Sequence, residues 1–302
     1  MCTSIAFRQK GLFFGRNMDL DYNFGERIVA TPRGFLLRSL EDQEHLGFIG
    51  TATLVEGYPL YADAINEKGL CVAGLNFPGK AFYRQTDHTK TNVPAFDFIA
   101  YVAAKFSSVE DLTKEFEKFN ITDRAFSEKI PCPTLHWMVS DHTSSVVIES
   151  SKTGINLYKN PLDVMTNLPE FQEQLENYKK MRSEEGSAPS DFPIMLSSSS
   201  RFLRMAHFLG NNLPETDAES AITHVFHLLD TVAVPDVSVK AANGNFHKTT
   251  YSICFDTIDR CYHIRTYENS QICRVALKKE DVCSSKLSVF DMSHKQGYQD
   301  LN

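Results

Sequence analysis

The order of elements along this chain of 302 residues indicates an α+β fold. Strand-type segments follow one another as hairpins towards both ends, and segments with helical spacing are grouped between them. Antiparallel hairpins around grouped helices favour α+β over a doubly wound parallel sheet. With 42% hydrophobic residues, including 22 Phe, the chain can bury a large core. We therefore expect one domain spanning residues 1–302, built as a four-layer αββα sandwich with two antiparallel sheets.

The opening segment predicts a β-hairpin. Cys2–Phe7 alternates and is rich in strand-forming residues, Gln9-Lys10-Gly11 is typical of a turn, and Leu12–Phe14 returns. Three more apolar runs predict the strands that follow: Arg27–Ala30, Gly47–Val55 and Leu70–Leu75.

The middle of the chain changes to helical spacing. Pro94–Phe106 carries its apolar residues three or four positions apart, which is typical of a helix with one buried face. Ser108 stands three residues before Asp111, the pattern of a helix N-cap. We expect a second helix from there, with apolar residues as far as Phe119.

The second half repeats this alternation. A polar turn joins two predicted strands, three helices follow, and a hairpin around Asp259-Arg260 closes the series. The stretch Ser183–Ser200, rich in Ser, Pro and Glu, predicts a loop. The strands are Thr134–Ser140, Ser145–Ser150, Thr250–Asp256 and Cys261–Thr266, and the helices are Pro169–Lys180, Arg201–Leu209 and Glu219–Val232.

The composition excludes several classes of function. The net charge is −7 and no block of Lys and Arg is dense enough for nucleic acid or lipid headgroups. The seven cysteines include no CxxC pair, which disfavours a zinc or redox site and indicates reduced thiols. No apolar run reaches ~18 residues, and Arg8 and Lys10 interrupt the N-terminal segment, so we expect neither a membrane span nor a signal peptide. These features favour a cytoplasmic enzyme or binding protein.

Cys2 follows Met1 directly. Removal of Met1 would place a free α-amine and a thiol on one residue, which could then supply both nucleophile and general base. The amine titrates near ~7.7–8.0 and a free thiol near ~8.5, so proton exchange between them costs little near neutral pH. Taken alone, a cysteine at the second position is more often an accident.

Gly15-Arg16-Asn17-Met18-Asp19 lies where the hairpin returns towards Cys2. A carboxylate from Asp19 could orient the amine, and the guanidinium of Arg16 would favour the thiolate. The plainer alternative is an ion pair at the end of a strand.

Two asparagines each follow a predicted strand and precede a proline. Asn76 lies in Gly74-Leu75-Asn76-Phe77-Pro78-Gly79 and Asn167 in Met165-Thr166-Asn167-Leu168-Pro169. Asparagine amides are neutral donors suited to a developing oxyanion. Each is also an ordinary turn residue. His224 and His227 have the spacing of a metal pair, but no acidic third ligand is nearby, so we favour structural roles.

Eight motifs occur in the order found in the choloylglycine hydrolase family, which the chain resembles from residue 2 to about residue 275. It resembles bile salt hydrolases and, more distantly, penicillin V acylases. This resemblance implies an N-terminal-nucleophile hydrolase with an αββα sandwich. The motifs are Cys2-Thr3, Gly15-Arg16-Asn17-Met18-Asp19, Asn66-Glu67-Lys68-Gly69-Leu70, Gly74-Leu75-Asn76-Phe77-Pro78-Gly79, Thr134-Leu135-His136-Trp137, Thr166-Asn167, Ser200-Arg201-Phe202 and Thr266-Tyr267-Glu268-Asn269.

The resemblance also implies roles for individual residues. Cys2 is the nucleophile with its own α-amine as base, and no metal or cofactor is needed. The supporting residues are Arg16, Asp19, Asn76 on the oxyanion side, Asn167 on the amine side, and Arg201. A second set matches the family's steroid pocket, with an ordinary core position as the alternative for each member: Met18, Phe24, Ala62, Phe126 and Ile130.

The implied activity is hydrolysis of glycine- or taurine-conjugated bile salts. Asn76 favours that branch, because penicillin V acylases resemble one another in carrying Tyr there. Two alternatives stay open: a penicillin V or other N-acyl amide acylase, and a catalytically silent steroid-binding protein.

The resemblance further implies a homo-oligomer, either a tetramer built from dimers or a dimer. One segment departs from the family. Before Ser200 the family carries a glycine-rich run ending in Leu-Pro-Gly-Asp, which it uses in assembly and at the pocket rim, and Ser183–Ser200 is shorter here. We therefore expect weaker oligomers and a more open pocket mouth.

Overall fold

The architecture is that of a computed structural model, which describes residues 1–40, 44–184, 195–212, 214–241 and 244–302. Its strands, in chain order, are β1 (Cys2–Arg8), β2 (Leu12–Leu20), β3 (Arg27–Thr31), β4 (Phe48–Val55), β5 (Tyr58–Tyr61), β6 (Asp63–Asn66), β7 (Cys71–Asn76), β8 (Thr91–Pro94), β9 (Phe119–Thr122), β10 (Leu135–Ser140), β11 (Ser145–Ser151), β12 (Gly154–Lys159), β13 (Val164–Met165), β14 (Val239–Lys240), β15 (Phe246–Asp256), β16 (Cys261–Thr266), β17 (Asn269–Ala276) and β18 (Ser288–Phe290).

The helices cover the outside of the strands. Helix α1 packs on β6 and β7, α4 packs on β1 and β13, and α5 packs on β2 and β15. Short 3₁₀ turns at Ala95–Asp97 and Phe116–Lys118 flank the first two helices. In chain order the helices are α1 (Phe98–Lys105), α2 (Val109–Glu115), α3 (Phe171–Glu184), α4 (Ser198–Gly210), α5 (Ala218–Asp230) and α6 (Lys279–Val282).

Two large antiparallel sheets form the centre. The seven-stranded sheet runs β13-β1-β2-β15-β16-β17, with β14 beside β15, and the nine-stranded sheet runs β12-β11-β10-β7-β6-β4-β3-β18, with β5 beside β4. Helix α1 lies on the nine-stranded sheet, and α4 and α5 lie on the seven-stranded sheet. The predicted αββα sandwich is confirmed.

The apolar side chains form two clusters. One fills the space between the sheets and the space beneath α4 and α5, and includes Phe14, Met205 and Phe255. The other lies between the nine-stranded sheet and α1, around Phe98 and Trp137, whose rings are 4.5 Å apart. Cys2 belongs to the first cluster, so the candidate site lies in the middle of the sandwich.

Most predicted elements are present at nearly the predicted positions. The cap at Ser108 is confirmed, since its side chain accepts a hydrogen bond from the Asp111 N–H at 3.1 Å. Of the predicted loop Ser183–Ser200, residues 185–194 lie outside the described part of the chain.

Three expectations were wrong in detail. Helix α2 ends at Glu115, and Phe119 instead begins β9, which pairs in parallel with β8. The motif Gly15–Asp19 lies inside β2 rather than after the hairpin. The chain also continues beyond Thr266 with β17 and β18. Both are exposed along much of their length, so they lack the apolar alternation that marks a half-buried strand.

Within the described residues, no helix is long and apolar enough to cross a membrane.

Candidate active site

The register of the opening hairpin arranges the candidate residues on two faces of one sheet. Cys2 lies opposite Met18, Thr3 opposite Asn17, and Ser4 opposite Arg16. Because side chains alternate along a strand, Cys2, Arg16 and Met18 share the face that looks towards the nine-stranded sheet. Thr3 and Asp19 share the other face, beneath the helices.

On the inner face, two side chains contact the Cys2 thiol. Its Sγ lies 3.7 Å from Arg16 Nη2 and 3.6 Å from Met18 Sδ. The Cys2 residue is only 3% exposed. The thiol is therefore held against a cation and a thioether, out of contact with bulk water.

Arg16 reaches across the sandwich to acceptors on the opposite side. Its Nη1 donates to Asp63 Oδ2 at 2.9 Å and to the Ala62 carbonyl, and its Nη2 donates to the Gly74 carbonyl at 2.7 Å. Burial acts to lower the pKa of Arg16, but the neighbouring Cys2, Tyr251 and Asp63 outweigh burial and raise that pKa. The side chain is a fixed positive charge beside the sulfur.

On the outer face, Arg201 approaches the same residue from α4. Its Nη1 donates to the Cys2 carbonyl at 2.6 Å and to the Thr3 hydroxyl, and its Nη2 donates to Asn167 Oδ1 at 3.1 Å. The Asp19 carboxylate is further away, at 3.8 Å. Burial lowers the pKa of Arg201, partly opposed by Asp19 and Cys2.

The two predicted asparagines are linked to each other and to Cys2. The Cys2 N–H donates to Asn167 Oδ1 at 2.7 Å, and Asn167 Nδ2 donates to the Asn76 carbonyl at 2.8 Å. Asn76 is exposed at the end of β7, where its Oδ1 accepts from the Thr134 hydroxyl at 2.8 Å. Asn167 therefore contacts the residue that would carry the amine, and Asn76 lies at the solvent edge of the group.

Met1 extends strand β1 by one residue. It exchanges both backbone hydrogen bonds with Asp19: the Met1 amine donates to the Asp19 carbonyl at 2.7 Å, and the Asp19 N–H donates to the Met1 carbonyl at 3.0 Å. The Asp19 side chain accepts from the Thr249 hydroxyl at 2.7 Å through Oδ1. Its buried Oδ2 has no hydrogen-bond partner among the described residues.

The predicted pocket residues occupy different surroundings. Met18 and Ala62 lie at the site through their contacts with Cys2 and Arg16 described above. Phe24 is 47% exposed and its ring lies 4.3 Å from the ring of Tyr22. Phe126 is 8% exposed and belongs to the core cluster between the nine-stranded sheet and α1. Ile130 packs against the same cluster. Their assignment to a steroid pocket stays a prediction.

Sequence reasoning missed Asp63, which is completely buried and paired with Arg16. The available signal was weak: Asp63 is the one charged residue between Tyr58 and Asn66. His224 has structural partners, Glu215 Oε1 at 2.9 Å and Asn212 Oδ1 at 3.0 Å, and stacks on Phe7.

Comparison with known proteins identifies the family of this chain. Residues 2–291 match the linear amide C–N hydrolases, choloylglycine hydrolase family. The chain belongs to this family. A bile salt hydrolase/transferase of Lactiplantibacillus plantarum is 36% identical over the full length of both chains. One of Clostridium perfringens is 34% identical over 96% of each.

Two solved structures share the fold. A mutant conjugated bile acid hydrolase from Clostridium perfringens superposes with a TM-score of 0.90 at 30% identity, covering all of both chains. Penicillin V acylase from Agrobacterium tumefaciens gives a TM-score of 0.81 at 21% identity, covering 96% of this chain and 91% of the acylase. The second likeness concerns the fold alone.

Proposed function

We propose that this choloylglycine hydrolase family member hydrolyses the amide bond of glycine- or taurine-conjugated bile salts through a thioester on Cys2. One observation carries the proposal. Both reactive atoms of Cys2 are already engaged by complementary groups, the sulfur by Arg16 and the nitrogen by Asn167. The relatives at 36% and 34% identity are named for bile salt hydrolysis, which supports the substrate class.

In the proposed mechanism, loss of Met1 turns the Cys2 nitrogen into a free amine. The thiol gives its proton to that amine, and the sulfur attacks the amide carbonyl carbon to form a tetrahedral oxyanion. The Asn76 amide donates a hydrogen bond to that oxyanion, while Asn167 holds the Cys2 nitrogen. As the carbon–nitrogen bond breaks, the ammonium returns the proton to the departing amine. Water, deprotonated by the same amine, then hydrolyses the thioester and regenerates the thiol.

Asp19 is placed to orient the new amine. Its backbone already lies beside the N-terminus, and its carboxylate oxygen Oδ2 is free to accept a hydrogen bond. Arg201 contacts both the Cys2 carbonyl and the Asp19 carboxylate, so it ties the two residues together. An oxygen atom of a buried carboxylate seldom lacks a hydrogen-bond donor. This supports a role for Asp19 Oδ2 as the acceptor for the Cys2 amine once Met1 is removed.

The deciding experiment measures release of glycine or taurine from conjugated bile salts by protein whose N-terminus has been checked by intact mass. Cys2→Ala should abolish turnover and leave the circular dichroism spectrum unchanged. Cys2→Ser should be very slow, because a hydroxyl is a poorer nucleophile near neutral pH. Cys283→Ala, at an exposed cysteine, is the matched control and should retain full activity.

Two outcomes would contradict the proposal. Full activity in protein that retains Met1 would exclude the α-amine as base. Bile salt binding without turnover in Met1-free protein would support the silent steroid-binding alternative instead.

Substrate preference separates the two enzyme classes. We expect kcat/KM for conjugated bile salts to exceed that for penicillin V by at least about tenfold, or roughly 1.4 kcal/mol of transition-state binding. A steroid buries far more apolar surface than a phenoxymethyl group, so this energy is available. An equal or reversed ratio in a side-by-side assay would place the chain with the acylases.

The proposal includes a homo-oligomer in the cytoplasm. All seven cysteines lie in the described part of the chain and are free thiols, which suits a reducing compartment. The segment Ser183–Ser200 is shorter than its counterpart in the family. A two-fold interface uses the same surface of both subunits, so a shortened loop removes contacts on both sides. We therefore expect tetramers to dissociate into dimers on dilution. Light scattering over a concentration series tests this. A tetramer that resists nanomolar dilution, or a strict monomer, would contradict it.

A further inference from the structure

The Arg16 guanidinium donates hydrogen bonds to residues of the opposite sheet. Arg16 belongs to β2 of the seven-stranded sheet, whereas its acceptors Asp63 and Gly74 belong to β6 and β7 of the nine-stranded sheet. The cation beside Cys2 Sγ is therefore located by residues that lie on the far side of the sandwich. Of these, only Asp63 contributes a charge.

The Asp63 carboxylate has donors on both oxygens. Oδ2 accepts from Arg16 at 2.9 Å, and Oδ1 accepts from the Thr51 N–H and the Tyr262 hydroxyl, each at 3.1 Å. Three donors and zero exposure fit an ionised carboxylate, which only accepts hydrogen bonds. Burial raises the pKa of Asp63, while the charge of Arg16 opposes that rise.

The position of Asp63 is set by the backbone of its sheet. A Cβ atom on Gly50 would lie 1.9 Å from the Asp63 carbonyl oxygen, so only glycine allows β6 to approach β4 this closely. The Tyr262 hydroxyl, which comes from the seven-stranded sheet, also contacts the Thr51 hydroxyl. Asp63 is therefore held by donors from both sheets, so its position does not depend on Arg16 alone.

We infer that Asp63 is a positioning residue for catalysis: its carboxylate holds the Arg16 guanidinium against Cys2 Sγ without touching the substrate. This inference rests on the proposed role of Cys2 as nucleophile. A buried ion pair is not by itself a strong stabiliser, and its better-attested use is to fix one geometry. Here that geometry places the cation at the thiol.

Two effects of removing the Asp63 charge have opposite signs. If Arg16 stayed in place, its charge would be less neutralised and the Cys2 thiolate would form at lower pH. If Arg16 needs Asp63 to remain at the sulfur, the thiolate loses its partner and forms at higher pH. The direction of the shift therefore distinguishes positioning from simple electrostatics.

The experiment uses full-length, Met1-free Asp63→Asn and wild-type protein. Alkylation of Cys2 by iodoacetamide is followed across pH by peptide mass spectrometry, which separates Cys2 from the other thiols. We expect the pH of half-maximal alkylation to rise by at least about half a unit, a scale typical of a nearby charge. With conjugated bile salts, kcat should fall by about 10- to 100-fold while KM stays within about twofold.

Asp141→Asn is the matched control. Asp141 is another buried carboxylate, but it accepts from Val109, Thr143 and Ser144 at the far end of the β10–β11 hairpin. This variant should be less stable yet keep the wild-type alkylation profile and kcat. A matching shift in Asp141→Asn would mean that any buried carboxylate change loosens the site, which overturns the inference.

Tyr262→Phe is the second variant and keeps the charge while removing one donor. It should lower kcat about threefold, in keeping with the loss of one hydrogen bond. If Asp63→Asn does not fold, an unchanged kcat in Tyr262→Phe overturns the inference. In folded Asp63→Asn, a downward or absent pH shift overturns it as well. The wild type could fail to hydrolyse bile salts while Asp63→Asn still raises the pH of half-maximal alkylation. That result would reject the proposed substrate and retain the role of Asp63.

Discussion

Arg16 and Arg201 are two fully buried arginines that approach Cys2 from opposite faces of the same sheet. Arg16 reaches the sulfur on the inner face and has a carboxylate, Asp63, at 2.9 Å. Arg201 reaches the Cys2 carbonyl on the outer face and has the Asp19 carboxylate at 3.8 Å. Their pKa values move in opposite directions, upwards for Arg16 and downwards for Arg201.

This difference indicates that two arginines beside the same cysteine can have different roles. The neighbours of Arg16 favour its charged form. Its guanidinium faces Cys2 Sγ, the atom that would carry the negative charge of a thiolate. Arg201 makes four hydrogen bonds, to Cys2, Thr3, Asn167 and the Leu196 carbonyl, all on uncharged acceptors. We therefore expect Arg16 to tune the sulfur, and Arg201 to order the backbone and the amide that surround the nitrogen.

The largest effect should come from Arg16→Lys. A single ammonium cannot reach the Ala62, Asp63 and Gly74 acceptors while also contacting Cys2 Sγ, because it lacks the planar fork. We expect kcat to fall by about 10²–10⁴-fold, the range typical of the loss of general acid–base assistance. Steady-state kinetics on a conjugated bile salt measures this. The control is Arg204→Lys, a buried arginine one turn beyond Arg201, which should stay within about threefold of wild type.

Asp19→Asn should come next, with a loss of about 10²-fold in kcat. The amide keeps the acceptor for the Thr249 hydroxyl but removes the charge that orients the new Cys2 amine. Thermal melts should show that folding is little changed. A loss of less than about threefold would reduce Asp19 to a structural ion-pair partner.

Arg201→Lys should cost less, about tenfold in kcat, because hydrogen bonds from a charged donor contribute ~1.5–3 kcal/mol and the lysine keeps part of them. The rate of Cys2 alkylation should barely change, since Arg201 does not contact the sulfur. If Arg201→Lys shifted the alkylation pH profile as strongly as Arg16→Lys, the two arginines would have the same task after all.

The smallest effect should come from Thr3→Ala, which removes one acceptor of Arg201. We expect a fall of about threefold in kcat, since a neutral hydrogen bond contributes ~0.5–1.5 kcal/mol. Thr3→Ser retains the hydroxyl and should restore wild-type kcat in the same assay. Equal losses in both variants would point to the missing methyl group instead.

Much of the fold was predictable because its inner strands are short, strand-forming runs that are buried on both faces. Cys2–Phe7 and Leu70–Leu75 were found from local pattern: the first lies within β1, and the second overlaps β7. Strand β6 was missed because it begins and ends with buried polar residues, and β17 was missed because it is an exposed edge strand. Their pairing depends on neighbouring strands, which a local pattern does not contain.

The site was predictable only where residues lie close in sequence or match a family motif. Arg16 and Asp19 return to Cys2 through one hairpin, so their proximity follows from a short-range turn. Asn167 and Arg201 were found by resemblance. Asp63 had only a weak local signal, because its contact with Arg16 depends on how two separate sheets stack.

The backbone pairing of Met1 with Asp19 has a consequence for the timing of maturation. A peptidase needs the chain end extended and unpaired, so removal of Met1 competes with closure of the hairpin that holds it. A ribosome adds ~5–20 residues per second, so β2 follows Met1 within roughly 1–4 s. Closure itself takes only ~1–10 μs. We therefore expect removal of Met1, which the proposed mechanism requires, to be faster in chains whose β1–β2 pairing has not yet formed.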